Sequence, residues 1–388
     1  MEIKFPKKYL VLLGVTCFAF LFIAARPLML GYDSYAYLAT SCVSQSYNSF
    51  ISSELFGVFV SALPCNLGVF YGLQFLALLC IVFCWSNIGE IFVGKHGWKL
   101  GYLILGLSPA LLWFVSSFEE ALFGYALSCI GVLCFALALR PQKIAPKPLL
   151  LGIACLAFVF SMLVWEASII MVLVALLMNR FNKIFLIIAI PAGIMLINYT
   201  LSSFTALFSL QIIAEEAPII GLFLIAHLFK PLKTTINKPL LYTSIFLILI
   251  GLVKLKYIFL CVPILVMVWM LNPQPIKFIF INLKRISLIS IIAIAIYGLI
   301  FFFSSPSISE MNLVKESIQL SHDTNYPFIN DWSYGWWITN QGYDTKYKSS
   351  YPNPDWNNID PPIVALTSTD LNCLLVDKVG EMKLFKCE

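Results

Sequence analysis

Five short segments of this 388-residue chain hold residue types that can do chemistry. Gly31-Tyr32-Asp33-Ser34-Tyr35 sets a carboxylate in a loop directly after the first long apolar run. Such a carboxylate can ligate a divalent cation at a membrane surface, with Gly31 turning the chain; it can equally cap a helix N-terminus. Ser117-Phe118-Glu119-Glu120 opens a predicted helix. Acids in a first helical turn are favoured by the helix dipole, and together with Asp33 they would supply the second carboxylate of an oxygen-ligand metal site. Ile212-Ile213-Ala214-Glu215-Glu216-Ala217-Pro218 ends a loop that starts at Leu201. That loop runs to roughly 15 residues, a length at which unstructured loops tend to be functional, and Pro218 suits the first turn of the helix that follows. Leu255-Lys256-Tyr257-Ile258-Phe259-Leu260-Cys261-Val262-Pro263 embeds a cation between two apolar runs, with Lys254 beside it. A cation facing a helix bundle there suits a phosphate group; snorkelling to lipid headgroups is the ordinary alternative. Asn330-Asp331-Trp332-Ser333-Tyr334-Gly335-Trp336-Trp337-Ile338 is dense in tryptophan, which makes either an interfacial belt or a binding wall for a peptide or sugar.

The elements that must position these residues are membrane-spanning helices. Only 12% of the chain is charged and 60% is hydrophobic; a water-soluble domain would carry roughly twice that charge. Mean hydropathy is +0.88. A span needs roughly 20 apolar residues, and by that measure about eleven helices are predicted, near 9–28, 68–86, 98–116, 120–139, 147–165, 167–179, 183–200, 218–229, 239–254, 256–271 and 286–304. The opening run from Tyr9 to about Leu28 reads as an uncleaved first helix, because no small-residue cleavage site closes it. The net charge of +5 comes from lysines and arginines in short loops, not from one patch, which argues against nucleic acid. Most of the 11 cysteines sit inside apolar runs, where a thiol behaves as a small hydrophobe, and none has zinc-ligand spacing.

Charge also sorts the loops. The N-terminus and every second loop hold most of the basic residues, among them Lys8, Lys95, Arg140, Lys183, Lys233 and Arg285, with only Glu2 and Glu90 as acidic company. The positive-inside rule then puts the N-terminus in the cytoplasm and the C-terminus outside. All other acids fall on the outer side, and Asp33, Glu119, Glu120, Glu166, Glu215 and Glu216 bring carboxylates from four loops to one membrane face. A charge kept beside an apolar run is costly, so these acids are candidates for function.

Composition changes after Phe303. Residues 1–304 read as a transmembrane domain and 305–388 as a small extracytoplasmic α/β domain. In the latter, Ile363–Ser368, Leu371–Asp377 and Glu381–Cys387 are predicted strands, with Lys378-Val379-Gly380 as a hairpin turn. A register centred on Gly380 sets Cys373 opposite Cys387, where an outer-side disulfide can form.

Taken in order along the chain, the five segments resemble the catalytic subunits of oligosaccharyltransferases. That resemblance implies the GT-C membrane fold: a mainly α, polytopic helix bundle with a C-terminal extracytoplasmic domain. It implies a metal-ligating Asp in the first outer loop, matched by Asp33, and a second acidic motif before the fourth helix, matched by Glu119 or Glu120. A mobile outer loop of the family ends in a T-I-x-E-like motif, which Ile212-Ile213-Ala214-Glu215 matches except at its first residue. An L-R-F…V-P segment that holds the lipid pyrophosphate is similar to Leu255-Lys256-Tyr257…Val262-Pro263, with Lys256 in place of arginine; that change loses bidentate phosphate recognition and keeps the charge. A W-W-D-Y-G motif that reads the Ser or Thr of the acceptor sequon resembles Asp331-Trp332-Ser333-Tyr334-Gly335, where Ser333 replaces the motif's Asp.

The resemblance thus implies transfer of a glycan from a polyprenyl- or dolichyl-linked (pyro)phosphate donor to asparagine of an acceptor polypeptide. Asp33, Glu119, Glu120 and Glu215 would be catalytic and hold Mn2+ or Mg2+, Lys256 would bind the donor phosphate, and Trp332, Ser333 and Tyr334 would line the acceptor pocket. Partners are then the lipid-linked donor, the acceptor polypeptide and membrane lipids. Two rivals stand beside it. A GT-C enzyme moving a monosaccharide from a lipid monophosphate to a hydroxyl would use Asp33 and Glu119/Glu120 without Glu215 or the Trp332 segment. A solute transporter or lipid flippase would place charges near mid-membrane, for which His227 is the only candidate.

Overall fold

The computed structural model describes residues 7–24, 37, 54–64, 66–94, 97–107, 111, 114–115, 118–139, 146–165, 168, 171–172, 175, 288, 291–292, 294–296, 299, 308–331, 347–349 and 355–388. The chain divides into two compact units: Met1–Ala25, Gly72–Ser116 and Glu120–Ile300 form the first; Arg26–Tyr71, Ser117–Glu119 and Phe301–Glu388 form the second.

The described part of the first unit is helical. Its long elements are α1 (Lys7–Ala24), α3 (Leu67–Val93, from Gly72 onward), α4 (Leu100–Leu107), α5 (Glu120–Ala138) and α6 (Lys147–Val164). A shorter α2 (Glu54–Ser61) belongs to the second unit. Among the described residues, three stretches are long and apolar enough to cross a membrane: Gly68–Ile91, Glu120–Ala138 and Lys147–Val164, with mean hydropathies of 2.0, 2.2 and 2.2. They coincide with three of the predicted spans. Helical residues at 171–172, 175, 288, 291–292, 294–296 and 299 fall in two more. The spans predicted at 183–200, 218–229, 239–254 and 256–271 lie outside the described residues.

Exposure of apolar side chains fits lipid as their solvent. On α6, Leu149, Leu156, Phe160 and Leu163 are all at least half exposed; in water, each such side chain would forgo roughly 1.5–3 kcal/mol of burial. By contrast α5 is buried on most of its surface. Helices pack through glycine. A Cβ on Gly89 would lie 2.1 Å from the carbonyl oxygen of Gly97, and one on Gly97 would lie 2.0 Å from that of Gly89, so here backbone meets backbone. Small residues allow this approach, the usual basis of helix association in membranes. Gly94, at φ +89, ends α3 and lets the chain turn back toward α4. Gly131 of α5 accepts the ring of Phe158 from α6, and Gly124 accepts Trp165. α1 lies antiparallel on α3: Lys8 meets Glu90, Tyr9 stacks on Phe83 at 4.7 Å, and Phe20 meets Phe75 edge-on at 5.2 Å. Trp85 Nε1 donates to Tyr125 OH at 2.9 Å, tying α3 to α5.

The second unit holds an α/β fold. Helix α7 (Ile308–Thr324) precedes a five-stranded sheet ordered β2-β1-β3-β5-β4, with β1 Phe328–Asn330, β2 Tyr347–Ser349, β3 Ile363–Thr367, β4 Leu374–Val379 and β5 Met382–Cys387. β1 runs parallel to β2 and β3, while β3, β5 and β4 are antiparallel neighbours. One face buries Ile329, Ile363, Ala365, Phe385 and Cys387 under Trp356, Ile359, Leu371 and Cys373. Strand alternation turns Phe328, Val364, Leu366 and Leu384 to the other face, and α7 packs against β1, β3, β4 and β5, burying Leu313, Val314, Ser317 and Ser321 on one helical stripe.

The predicted hairpin forms one residue later than expected. Its turn is Gly380-Glu381, with Gly380 at φ +61, the first central position at which a two-residue turn demands glycine. Cys373 and Cys387 are disulfide-bonded, with Cα atoms 4.9 Å apart. A β-bulge makes that pairing. Near the turn Val379 faces Met382 and Asp377 faces Leu384, whereas beyond the shift Leu375 faces Phe385 and Leu374 faces Lys386. Val376 is the residue absorbed. Without it, the ladder would set Leu374 opposite Cys387 and turn the two sulfurs to opposite faces of the sheet.

Candidate functional site

Of the residues singled out for chemistry, Glu119 and Glu120 are described; Asp33, Glu215, Lys256, Trp332, Ser333 and Tyr334 lie outside the described residues. Glu120 begins α5, where the sequence predicted a helix start, and its charge complements the exposed backbone N–H groups there. Both glutamates are buried, at 4% and 3% exposure. Adjacent acids taken out of water carry a desolvation cost that a stable fold tolerates only with compensation. Their oxygens are the donors that hard cations of the Mn2+ and Mg2+ kind select, so the described part of the metal-ligand set fits such an ion in chemistry. Among the described residues, no three His, Cys, Asp or Glu side chains gather into a metal-binding group.

Aromatic rings link Phe118 to Tyr37 through Phe56. Tyr37, four residues beyond Asp33, packs edge-on against Phe56 at 4.7 Å. Phe56 in turn lies 5.8 Å from Phe118, the residue before Glu119, and Phe118 meets Phe70 edge-on at 4.9 Å. All four rings are essentially solvent-free. Tyr37 and Phe118, distant in sequence, thus belong to one buried aromatic cluster of the kind that contributes beyond its area.

The tryptophan-rich segment departs from a defined point. β1 ends at Asn330, and Asp331 follows at 2% exposure. Asp331 Oδ1 accepts from Trp356 Nε1 at 3.1 Å. Its Oδ2 accepts from the backbone N of Ser368 at 2.8 Å, Thr367 Oγ1 at 2.9 Å and Ser368 Oγ at 3.2 Å. The backbone N of Asp331 donates to Leu366 O at 3.0 Å. This hub lies at the carboxyl ends of parallel strands β1 and β3, the edge at which open α/β sheets present their ligand sites. Sequence reasoning treated Asp331 only as a motif position; a carboxylate ending a short apolar strand was the available signal.

Gln74 is a second residue with no part in the sequence argument. It is fully buried on the α3 stripe that continues through Leu78, Ile81 and Trp85, and among the described residues neither its Nε2 nor its Oε1 has a hydrogen-bond partner. No family model matches the chain, and comparison with curated proteins and with solved structures returns no match.

Proposed function

We propose that the protein is a membrane glycosyltransferase of the oligosaccharyltransferase kind, moving a glycan from a polyprenyl- or dolichyl-linked (pyro)phosphate to asparagine on the outer membrane face. The observation that carries this reading is the buried Glu119–Glu120 pair, preceded by Phe118 of a ring cluster that reaches Tyr37, four residues beyond Asp33 in sequence. Trp332–Tyr334 follow Asp331 directly in sequence, after the carboxyl end of β1, and α/β sheets present ligand sites at that end of their strands.

In this reading Asp33, Glu119 or Glu120, and Glu215 hold a hard divalent cation, Mn2+ or Mg2+, which when bound offsets the charge building on the leaving phosphate. Lys256 offers a fixed positive partner to that phosphate. Asp33 accepts hydrogen bonds from the acceptor amide, whose nitrogen is otherwise a poor nucleophile, and orients it toward the anomeric carbon. Trp332, Ser333 and Tyr334 line the acceptor pocket. Residues 201–215 close over bound peptide and open to release product.

The test incubates purified full-length protein with lipid-linked glycan, Mn2+ and an asparagine-sequon peptide. Wild-type transfer that is abolished in both Asp33→Ala and Glu215→Ala supports the reading; activity surviving both substitutions removes the metal site from it. Glycosylation of a serine peptide and never an asparagine peptide favours a monosaccharide transferase acting on hydroxyls.

A further inference from the structure

We infer that Ser168 is a positioning residue of the cation site at Glu120, its buried hydroxyl hydrogen-bonding within the shell of the Mn2+ or Mg2+ held there. The inference rests on the function proposed above and adds a residue to which the resemblance assigns no role.

Three observations carry it. First, the Ser168 hydroxyl is an exception. Thr16, Ser86, Ser128 and Ser161, buried in the same unit, each donate to a carbonyl three or four residues back, the ordinary way to hide a hydroxyl in an apolar helix. Ser168 is solvent-free, and its Oγ has no hydrogen-bond partner among the described residues. The Trp165 carbonyl, three residues back, accepts its backbone N–H at 3.0 Å instead. An orphaned buried hydroxyl costs about 1–3 kcal/mol, which an occupant of the site would offset. Second, the antiparallel packing of α5 and α6 brings Ser168 to Glu120. Gly131 accepts Phe158 and Gly124 accepts Trp165, so each step back along α5 matches one forward along α6. Continued by one turn, that register sets Glu120, on the α5 stripe of Gly124 and Gly131, level with the residues just after Trp165. Ser168 stands there: a Cβ on Gly124 would lie 2.9 Å from its Oγ. Side chains four apart on a helix are rooted about 5–6 Å from each other, so hydroxyl and carboxylate are a helical turn apart. Third, Glu120 is only 3% exposed at the head of α5. Cations of the Mg2+ kind dehydrate reluctantly and keep several waters, whose protons need acceptors in a buried site. A hydroxyl both donates and accepts, so Ser168 can steady a Glu120 oxygen and accept from such a water.

Full-length wild type, Glu120→Gln, Ser168→Ala and Ser168→Thr are compared in nanodiscs, with Mn2+ alone as the probe. Electron paramagnetic resonance reads the free ion, and thermal midpoints are taken with and without it. Wild type is expected to show a site that Glu120→Gln removes. Ser168→Ala is expected to weaken its Kd about tenfold, as loss of an outer-shell partner does. Its metal-free midpoint should equal that of wild type or exceed it, since only an unpaired hydroxyl is lost. Ser168→Thr, which keeps the hydroxyl, should lie nearer wild type in Kd. An unchanged Kd in Ser168→Ala overturns the inference, as does a weaker Kd accompanied by a lower metal-free midpoint, which marks a merely structural residue. Mn2+ binding that Glu120→Gln leaves intact also overturns it. Glycan transfer to the asparagine peptide, measured on the same samples, judges the proposed function separately: a wild type that transfers glycan without binding Mn2+ removes the cation site and Ser168's role with it, and leaves the transferase reading standing.

Discussion

The β4–β5 hairpin allows one structural argument to be tested to the residue. Cys373 and Cys387 close a loop with a sequence separation of 14, and in the chain-entropy account a loop of that size stabilises by about 3 kcal/mol. Since about 1.4 kcal/mol is a factor of ten, removing the bridge raises the opening constant of the hairpin roughly a hundredfold. Cys373→Ser/Cys387→Ser in the full-length protein should show this as faster amide exchange in β4, with α7 and β3 changing less. The register makes a sharper demand. Because Val376 is absorbed in a bulge, residue 373 and not 374 faces 387. Cys373→Ser/Leu374→Cys therefore places a thiol one residue away in sequence but on the wrong face, and it should stay reduced. Deleting Val376 removes the bulge and leaves every other pair in place, so Cys373 and Cys387 should still join. Maleimide-polyethylene glycol labelling before and after reduction, read as a gel shift, distinguishes the states. Ready oxidation of Cys373→Ser/Leu374→Cys, or free thiols in the Val376 deletion, would refute the bulge and the register built on it.

Other predictions follow from the packing. Gly89→Ala forces a methyl onto the Gly97 carbonyl and should abolish recovery of monodisperse protein, whereas Gly14→Ala and Gly72→Ala, with nothing within 4 Å of the added carbon, should be neutral. Lys8 and Glu90 are partly buried, with Nζ 2.5 Å and 2.6 Å from the two carboxylate oxygens. Glu90→Gln should cost about 1.5–3 kcal/mol, as for hydrogen bonds to charged groups, seen as a lower thermal midpoint, and Lys8→Glu/Glu90→Lys should recover part of what either single reversal loses. Gln74→Leu removes a buried amide without partners and should raise stability by about 1–3 kcal/mol; an accompanying fall in transfer activity would show that substrate uses the amide. The Lys383 hydrogen bond and charge hold the fully exposed Asp370 carboxyl below its ordinary 3.8. A depressed carboxylate stabilises above its unfolded value and loses that contribution as pH falls through the lower folded value. Asp370→Asn should thus differ from wild type in hairpin exchange at neutral pH and match it well below pH 3.8, with a difference persisting in acid refuting the pairing.

Legibility of this chain tracks the range of the interactions. Helix positions follow from local hydropathy, which is why α5 at Glu120–Ala138 and α6 at Lys147–Val164 match the expected 120–139 and 147–165 within a residue. The antiparallel hairpin was also readable, because β-branched and apolar residues flank a glycine turn; the slip of one residue in the turn and the bulge at Val376 compensate each other. Helix α7 was not foreseen. Its buried stripe is Leu313, Val314, Ser317 and Ser321, half serine, and its polar remainder hides the period that a hydrophobic pattern would reveal. β1 and β2 were missed as well, because three residues are too few to show alternation and parallel pairing is non-local. Ring packing between Tyr37, Phe56 and Phe118 was equally illegible: nothing in the sequence around each aromatic residue names its partner.

The same limits explain how so small a domain can hold a defined edge. About 80 residues bury too little apolar surface to make a large core, and such domains rely on cross-links. Here the rigidity is divided between two devices, one at the β4 edge and one where β1 meets β3. The Cys373–Cys387 bridge secures β4 against β5, where Leu374, Leu375 and Val376 are exposed on an edge strand, and the bulge twists that edge away from further pairing. The Asp331 hub secures the other side, joining the end of β1 to Thr367, Ser368 and Trp356. Between them β3 and β5 need only modest packing to stay in register. A tryptophan at position 331 would add apolar area but could not accept four hydrogen bonds, and the fully buried hydroxyl of Thr367 would then lose its acceptor, a cost of about 1–3 kcal/mol. In this chain the carboxylate is therefore the residue type that lets a three-residue strand end in a fixed direction, and Asp331→Trp should disorder the edge rather than restore a motif.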